Sequence, residues 1–277
     1  LKRFIINGIH EIILDMNIQT SSTSSKILPD VVTHLDVIKS FAVIMMIIDH
    51  IGYYFFPDEL WFRVFGRLGG APVWFFLIGY SLSRDLPPKL LIGAGILVFA
   101  NLVLFQSVFP LNVLVTIILL RLIIDPVMRF MLKAPYIFGL FTILLTLAFY
   151  PTNLVVEYGS LALLFAIAGY FTRHRERLIA VTFLTKPYMN MYFIYIFAAF
   201  CLLQNGVFLF NHIQLFVMAV LTAVVMVILI NMRPMTFPQI HGRAKELLQF
   251  GGRKTLEIYV VHLVIFKLIV FAILALK

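Results

Sequence analysis

The residues best suited to chemistry fall in one apolar stretch, residues 35–56 (LDVIKSFAVIMMIIDHIGYYFF), which carries Asp36, Lys39, Asp49 and His50. Ionisable groups inside a membrane span cost roughly 2.5–3.5 kcal/mol each at its centre, so they are functional candidates by default. Lys39 and His50 are eleven residues apart. At 100° per residue they lie only about 20° from one stripe of a helix, and about 16 Å apart along its axis. Asp36 stands three residues before Lys39, where the two can pair, and a lysine at that depth can also snorkel to the interface. A histidine beside a carboxylate can act as a general base, because the carboxylate orients the ring and stabilises imidazolium. The Asp49-His50 pair is therefore read as catalytic in preference to a packing device.

A second group follows in residues 66–84, GRLGGAPVWFFLIGYSLSR. Arg67 opens this segment near the depth of His50 and is a candidate for stabilising a developing oxyanion. Arg84, with Lys89, is a candidate phosphate grip, since a guanidinium matches phosphate geometry; it is equally what a span boundary looks like. Near the other end of the chain, Tyr259 and His262 share a helix face. His262 sits about seven residues into the last apolar run and His50 about fourteen into the first. That difference, about 10 Å, predicts no direct contact. Lys267 is near the depth of Asp49 and is expected to neutralise it. Arg121 and Asp125, four apart, are expected to pair locally. His10, His174, His212 and His241 are assigned to tails or loops, and the 28 phenylalanines to lipid-facing bulk.

Composition sets what must position these groups. Hydrophobic residues make up 62% of the 277 and charged residues 13%, with mean hydropathy +1.00. A soluble domain needs about 25% charged residues to cover its surface, so most of this surface must face lipid. The expectation is an all-α polytopic transmembrane bundle of about nine spans: 35–56, 68–83, 88–106, 110–128, 134–150, 155–172, 188–205, 209–231 and 255–276, each near the length a bilayer requires. The second is short and contains Pro72, so a kinked or broken helix is expected there. Lysine and arginine gather in residues 1–33, 84–89, 121–133, 173–186 and 233–254, while Arg63, Arg67 and Lys277 fall on the opposite side. The positive-inside rule then puts the N-terminus in the cytoplasm. The net charge of +9 is topology, and no nucleic-acid partner is implied. Glu11 and Asp15 interrupt the apolar stretch of residues 1–20, unlike a cleavable signal peptide. Residues 20–26 (TSSTSSK) read as a linker. Residues 1–33 are thus expected to be a cytoplasmic tail, and residues 34–277 the membrane domain.

The sequence holds no P-loop, no G-x-S-x-G, no internal repeat and no metal-spaced Cys/His cluster, which disfavours a primary pump, a standard serine hydrolase and a redox protein. The single cysteine, Cys201, excludes a disulfide framework. Three function classes stay in view: a membrane acyltransferase, a proton-coupled transporter or flippase using Asp49-His50 as a relay, and a non-catalytic membrane subunit of an envelope complex. A transporter would be expected to show paired helix breaks in two repeats; Pro72 has no partner.

Asp36-Val37-Ile38-Lys39, then Asp49-His50, Gly66-Arg67, Ala71-Pro72 and Leu82-Ser83-Arg84 together resemble the opening of the TraX family, and Tyr259-Val260-Val261-His262 resembles its terminal Tyr-x-x-His. The basic-x₁₀-His spacing is also similar to the wider transmembrane acyltransferases, including the acyltransferase-3 and heparan glucosaminide acetyltransferase groups. The match is dense over residues 36–84, thin at 251–263 and compositional between. His34-Leu35 stand where the family has a basic residue, and Val73-Trp74 where it tends towards Phe and Leu. The resemblance implies an inner-membrane acetyltransferase that takes acetyl from cytoplasmic acetyl-CoA. The acceptor would be the N-terminal amine of a pilin-like protein or, as in the wider group, a glycan hydroxyl. By position it implies His50 as catalytic histidine, Asp49 as its neighbour and Lys39 as the paired basic residue. Whether His50 acts as base or as acyl carrier stays open.

Overall fold

The computed structural model describes residues 30–104 and 107–276. The tail and linker expected over residues 1–29, with His10, and Lys277 lie outside the described residues.

The first helix, α1 (His34–Phe55), starts at a capping box. The Thr33 hydroxyl accepts from the Asp36 backbone N–H, and the Asp36 carboxylate accepts from the Thr33 N–H at 2.9 Å. Such a cap is worth about 1 kcal/mol, and it fixes where the first helix begins. After a short turn come α2 (Trp61–Gly66), a π-helical segment (Gly69–Phe75) and α3 (Phe76–Tyr80). Pro72 lies within the π-helical segment and Gly70 departs from helical ψ. The second window is therefore a broken helix, as a proline that cannot donate to the preceding turn requires.

The chain continues through α4 (Pro88–Val103), α5 (Val113–Met131), α6 (Pro135–Leu147), the single turn α7 (Phe149–Asn153), α8 (Gly159–Val181), α9 (Lys186–Phe208) and α10 (His212–Ile230). It closes with α11 (Gly242–Arg253) and α12 (Thr255–Ala275). Each of the nine windows thus overlaps a helix among the described residues. Three helices, α9, α10 and α12, are long and apolar enough to cross a membrane, while α4 and α6 are apolar but shorter. The helices α1, α5 and α8 carry ionisable residues along their length. One feature departs from the all-α expectation: strands β1 (Val32–Thr33) and β2 (Thr236–Phe237) pair antiparallel beside the start of α1.

The bundle is built round α8. Its residues 159–171 are buried on every face, the pattern of a helix with no solvent or lipid side. The π-helical segment, α3, α5, α6, α7, α9 and α10 all pack on it. Phe75, Phe76, Phe149, Phe165, Phe171 and Phe200 are among the largest fully buried side chains. This corrects the assignment of the phenylalanines to lipid-facing bulk: part of them forms the core through edge-on contacts such as Phe165–Phe200, with ring centroids 5.7 Å apart. Apolar side chains such as Leu140, Leu202 and Phe216 point outward, as a lipid-facing surface requires. His174 is not in a loop but inside α8, half-buried, with its ring 4.5 Å from that of Tyr170.

Two close approaches fix the working part of the bundle. A side chain on Gly66 would come within 2.4–2.6 Å of Asp49, backbone included, so only glycine lets α2 lie directly against the second half of α1. On the other side of α1, a side chain on Gly252 would meet the Asp36 backbone at 2.5 Å. The end of α11 is therefore already seated on α1 before α12 begins. The Ser40 hydroxyl donates to the Leu248 carbonyl at 2.8 Å, and Arg253 pairs with Asp36 at 3.2 Å.

Candidate active site

A cavity of about 600 Å³ opens beside the second half of α1, lined by Asp49, His50, Arg63, Arg67, Trp74, Glu157, Tyr158, Tyr259 and Lys267, among others. The seating of α2 on Gly66 brings Arg63 and Arg67, one helical turn apart, to the same carboxylate. Arg63 Nη1 is 3.1 Å from Asp49 Oδ2 and donates to the Asp49 carbonyl at 3.2 Å, while Arg67 Nε is 3.4 Å from Asp49 Oδ1. Arg63 and Asp49 are both buried. One carboxylate facing two guanidinium groups leaves an excess of positive charge, and buried charges persist only with further partners. Aromatic faces supply them: Arg63 lies 5.1 Å from the Tyr53 ring, and Arg67 lies 5.0 Å from Tyr158 and 4.8 Å from Phe208.

His50 Nδ1 is 2.8 Å from His262 Nε2, and His262 Nδ1 is 2.6 Å from the Ile258 carbonyl. The Tyr259 ring centroid is 5.8 Å from that of His50. This corrects the expectation that the two histidines are separated in depth. Counting from Thr255 as a span boundary put His262 too low. Because Gly252 already sits against Asp36, α12 starts about three residues up α1 rather than level with its beginning. That removes part of the expected offset, and the two side chains meet.

The floor of the cavity comes from the turn between α7 and α8. Tyr158 has a left-handed backbone, with φ 65°, a conformation that costs an ordinary residue free energy and concentrates at working sites. The turn is pinned from Leu111 N to the Val155 carbonyl at 2.8 Å, from Glu157 N to the Leu111 carbonyl at 2.9 Å, and from the Thr116 hydroxyl to the Glu157 carbonyl at 2.9 Å. Lys267 donates to Asn101 Oδ1 at 2.6 Å and lies over the Tyr54 ring. Asp49 is thus neutralised by Arg63 and Arg67, not by Lys267 as expected. Five buried atoms on the cavity wall, Asp49 Oδ1, Arg67 Nε, Trp74 Nε1, Gln204 Oε1 and Tyr259 Oη, make no hydrogen bond among the described residues, the first two being held only by their ion pair. Native structures keep such groups scarce.

Lys39 is in a different place. It lines a second cavity, of about 490 Å³, at the opposite end of α1, with His34, Asp36, Arg253 and Thr255. The expected Asp36–Lys39 pair is replaced by Asp36–Arg253, which arises because α11 packs on the start of α1. Lys39 makes no hydrogen bond or ion pair among the described residues. Arg84 and Lys89 line neither cavity. Arg84 is held by Asp125 at 3.1 Å and by the carbonyls of Ile78 and Ser81, and Lys89 pairs with Glu257 at 3.2 Å. Asp125 therefore does not pair with Arg121, which donates instead to the Asp85 carbonyl. Among the described residues no group of three or more His, Cys, Asp or Glu side chains is gathered to hold a metal ion.

Of the residues singled out from sequence, His50, Asp49, Arg67, Tyr259 and His262 come together, while Lys39 and Asp36 share the second cavity. Arg63, Trp74, Glu157 and Tyr158 were missed as site residues. The four-residue spacing of Arg63 and Arg67 was a usable signal. Glu157, the one acid between Asp125 and Glu176, was another.

A family model described as TraX protein matches residues 34–270. An uncharacterized protein of Rickettsia prowazekii (strain Madrid E) is 28% identical over 141 residues, which is 51% of this chain and 56% of that protein. The chain thus spans about half the length of that relative. No solved structure matches the chain.

Proposed function

The chain belongs to the TraX family, and on that premise we propose that it is an integral-membrane acetyltransferase, moving an acetyl group from cytoplasmic acetyl-CoA to the N-terminal amine of a pilin-like protein. The observation that carries this reading is His50 on the wall of a cavity, paired behind with His262 and beside the Asp49–Arg63–Arg67 charge cluster. In this reading the chain crosses the bacterial inner membrane about nine times with its N-terminus in the cytoplasm, so the Lys39 cavity faces inward and the His50 cavity outward.

The donor's phosphates bind at the inner cavity through Lys39, which is uncommitted among the described residues, whereas Arg84 and Lys89 already have carboxylate partners. The thioester then reaches about 16 Å along α1 to His50. As base, His50 takes the amine proton while the amine nitrogen bonds to the thioester carbonyl carbon. The C–S bond breaks, and the thiolate recovers the proton from imidazolium. As acyl carrier, His50 itself bonds to that carbon while the C–S bond breaks and the thiolate leaves. The amine nitrogen then bonds to the acetyl carbon, the His50–acetyl bond breaks, and the amine proton goes to the thiolate. The Trp74 and Tyr259 donors, which make no hydrogen bond among the described residues, and the Arg67 guanidinium beside them are suited to the oxyanion that either route develops.

The test is incubation of purified protein with labelled acetyl-CoA, comparing wild type with His50→Ala, and a pilin N-terminal peptide with an envelope polysaccharide as acceptor. Label transferred by wild type only, and to the peptide, is expected. Transfer to sugar hydroxyls would move the acceptor to a glycan. Wild type that neither binds nor turns over acetyl-CoA would overturn the reading. Acetyl-His50 accumulating without acceptor would identify the carrier route.

A further inference from the structure

The hydrogen bonds at the histidine pair have a direction. The Ile258 carbonyl can only accept, so His262 Nδ1, 2.6 Å away, carries its proton. A neutral imidazole has one N–H, which leaves His262 Nε2 as an acceptor. His50 Nδ1, 2.8 Å from it, must then be the donor. The remaining nitrogen, His50 Nε2, is a bare lone pair. It makes no hydrogen bond among the described residues, and its ring lines the cavity.

We infer that His262 is a positioning residue that holds His50 in its Nδ1–H tautomer, making Nε2 the nitrogen that meets the substrate. The helical carbonyl of Ile258, one turn back on α12, is the fixed end of this chain of polarity. It plays the part that a buried carboxylate plays when it orients a catalytic imidazole through the nitrogen that does not react. Asp49, adjacent in sequence, is not available for that part: both of its oxygens face guanidinium groups. The arrangement serves either route of the acetyltransferase reading, on which the use of Nε2 rests. When Nε2 takes the amine proton, positive charge spreads over the His50 ring and strengthens the Nδ1–H donation to His262. When the leaving thiolate takes the proton back, the same tautomer is restored.

The tautomer is measurable without activity. In full-length protein labelled with ¹⁵N-histidine and held in lipid nanodiscs, the His50 resonances, assigned by their loss in His50→Gln, are expected to show a protonated Nδ1 and a bare Nε2. In His262→Leu, which keeps bulk and removes the acceptor, His50 is expected to populate both tautomers. The kinetic arm expects His262→Leu to lower kcat by about 10²-fold or more, the low end of what a positioned base supplies, with the KM for acetyl-CoA little changed. His262→Gln, whose amide oxygen can accept from Nδ1–H, is expected to recover most of that loss. A protonated Nε2 on His50 in the wild type, or a tautomer unmoved by His262→Leu, would overturn the inference. If the wild type shows the Nδ1–H form but transfers no acetyl group, the acetyltransferase reading fails and the tautomer assignment stands.

Discussion

His50 Nδ1 and His262 Nε2 lie 2.8 Å apart although 212 positions separate them in the chain. What joins them is the way α11 lies on α1, with Gly252 against the Asp36 backbone and Gly251 against Ser40. That seating sets the register at which α12 climbs past α1, and so the height of His262.

Gly252→Val is therefore expected to act on the pair from a distance. Its first side-chain carbon would meet the Asp36 backbone at 2.5 Å, and forcing atoms into such a contact costs about 1–3 kcal/mol. The helix must shift, and His262 shifts with it. Thermal unfolding of the purified protein should drop modestly, while acetyl transfer should fall far more than the loss of folded protein explains. Full activity in a folded Gly252→Val protein would show that the register does not set the pair.

Asp49→Asn is expected to be costly for stability as well as for catalysis. The substitution leaves Arg63 and Arg67 facing a neutral amide in a buried setting, and breaking a buried ion pair from one side typically costs about 3–5 kcal/mol. Removing Arg63 as well, in Asp49→Asn with Arg63→Met, should return part of that stability by discarding the stranded charge. Denaturant unfolding in detergent reads both. A single variant as stable as wild type would mean that the cluster is solvated rather than buried.

The helices were legible because apolar runs near bilayer length leave little choice, and the break at Pro72 because proline cannot complete a helical turn. Asp49 and His50 stood out for the same reason: charge in such a run is expensive. The site's other half was not legible. The partner of His50 depends on how far up α1 the last helix enters, which is a property of the Gly252–Asp36 contact and not of α12 itself. Lys267 and Arg121 were paired by depth and spacing alone, yet Arg63, Arg67 and Arg84 reach the carboxylates first. The Glu157–Tyr158 turn depends on hydrogen bonds to Leu111 and Thr116, more than forty residues earlier, which no local pattern encodes.

Tyr259→Phe isolates one hydroxyl. Tyr259 is buried, its ring packs near His50, and its oxygen has no partner among the described residues. Removing the oxygen leaves the ring contacts in place, so folding should be unaffected or slightly improved, since an unsatisfied buried hydroxyl is itself a cost. If the hydroxyl donates to the oxyanion, kcat should fall by about 10²-fold with little change in KM, as for other single oxyanion donors. An unchanged kcat would remove Tyr259 from the chemistry and leave it as packing.

Lys39 and Arg84 are the sharpest pair to compare, because both are basic residues of the matched motif and they occupy different surroundings. Lys39 lines a cavity and makes no hydrogen bond or close ion pair among the described residues, so Lys39→Gln breaks no such contact. It should leave thermal stability near wild type while raising the KM for acetyl-CoA about tenfold or more, as loss of one charge-assisted contact of roughly 1.5–3 kcal/mol requires. Arg84→Gln should do the reverse. It strands Asp125 beside α8 and frees the Ile78 and Ser81 carbonyls that Arg84 now satisfies, so stability should fall while the KM in the surviving protein stays close to wild type. Acetyl-CoA titrations and unfolding curves on the two variants, run side by side, give opposite signatures if the donor enters at the Lys39 cavity. A KM effect confined to Arg84→Gln would move the donor's phosphates to the Arg84–Asp125 pair.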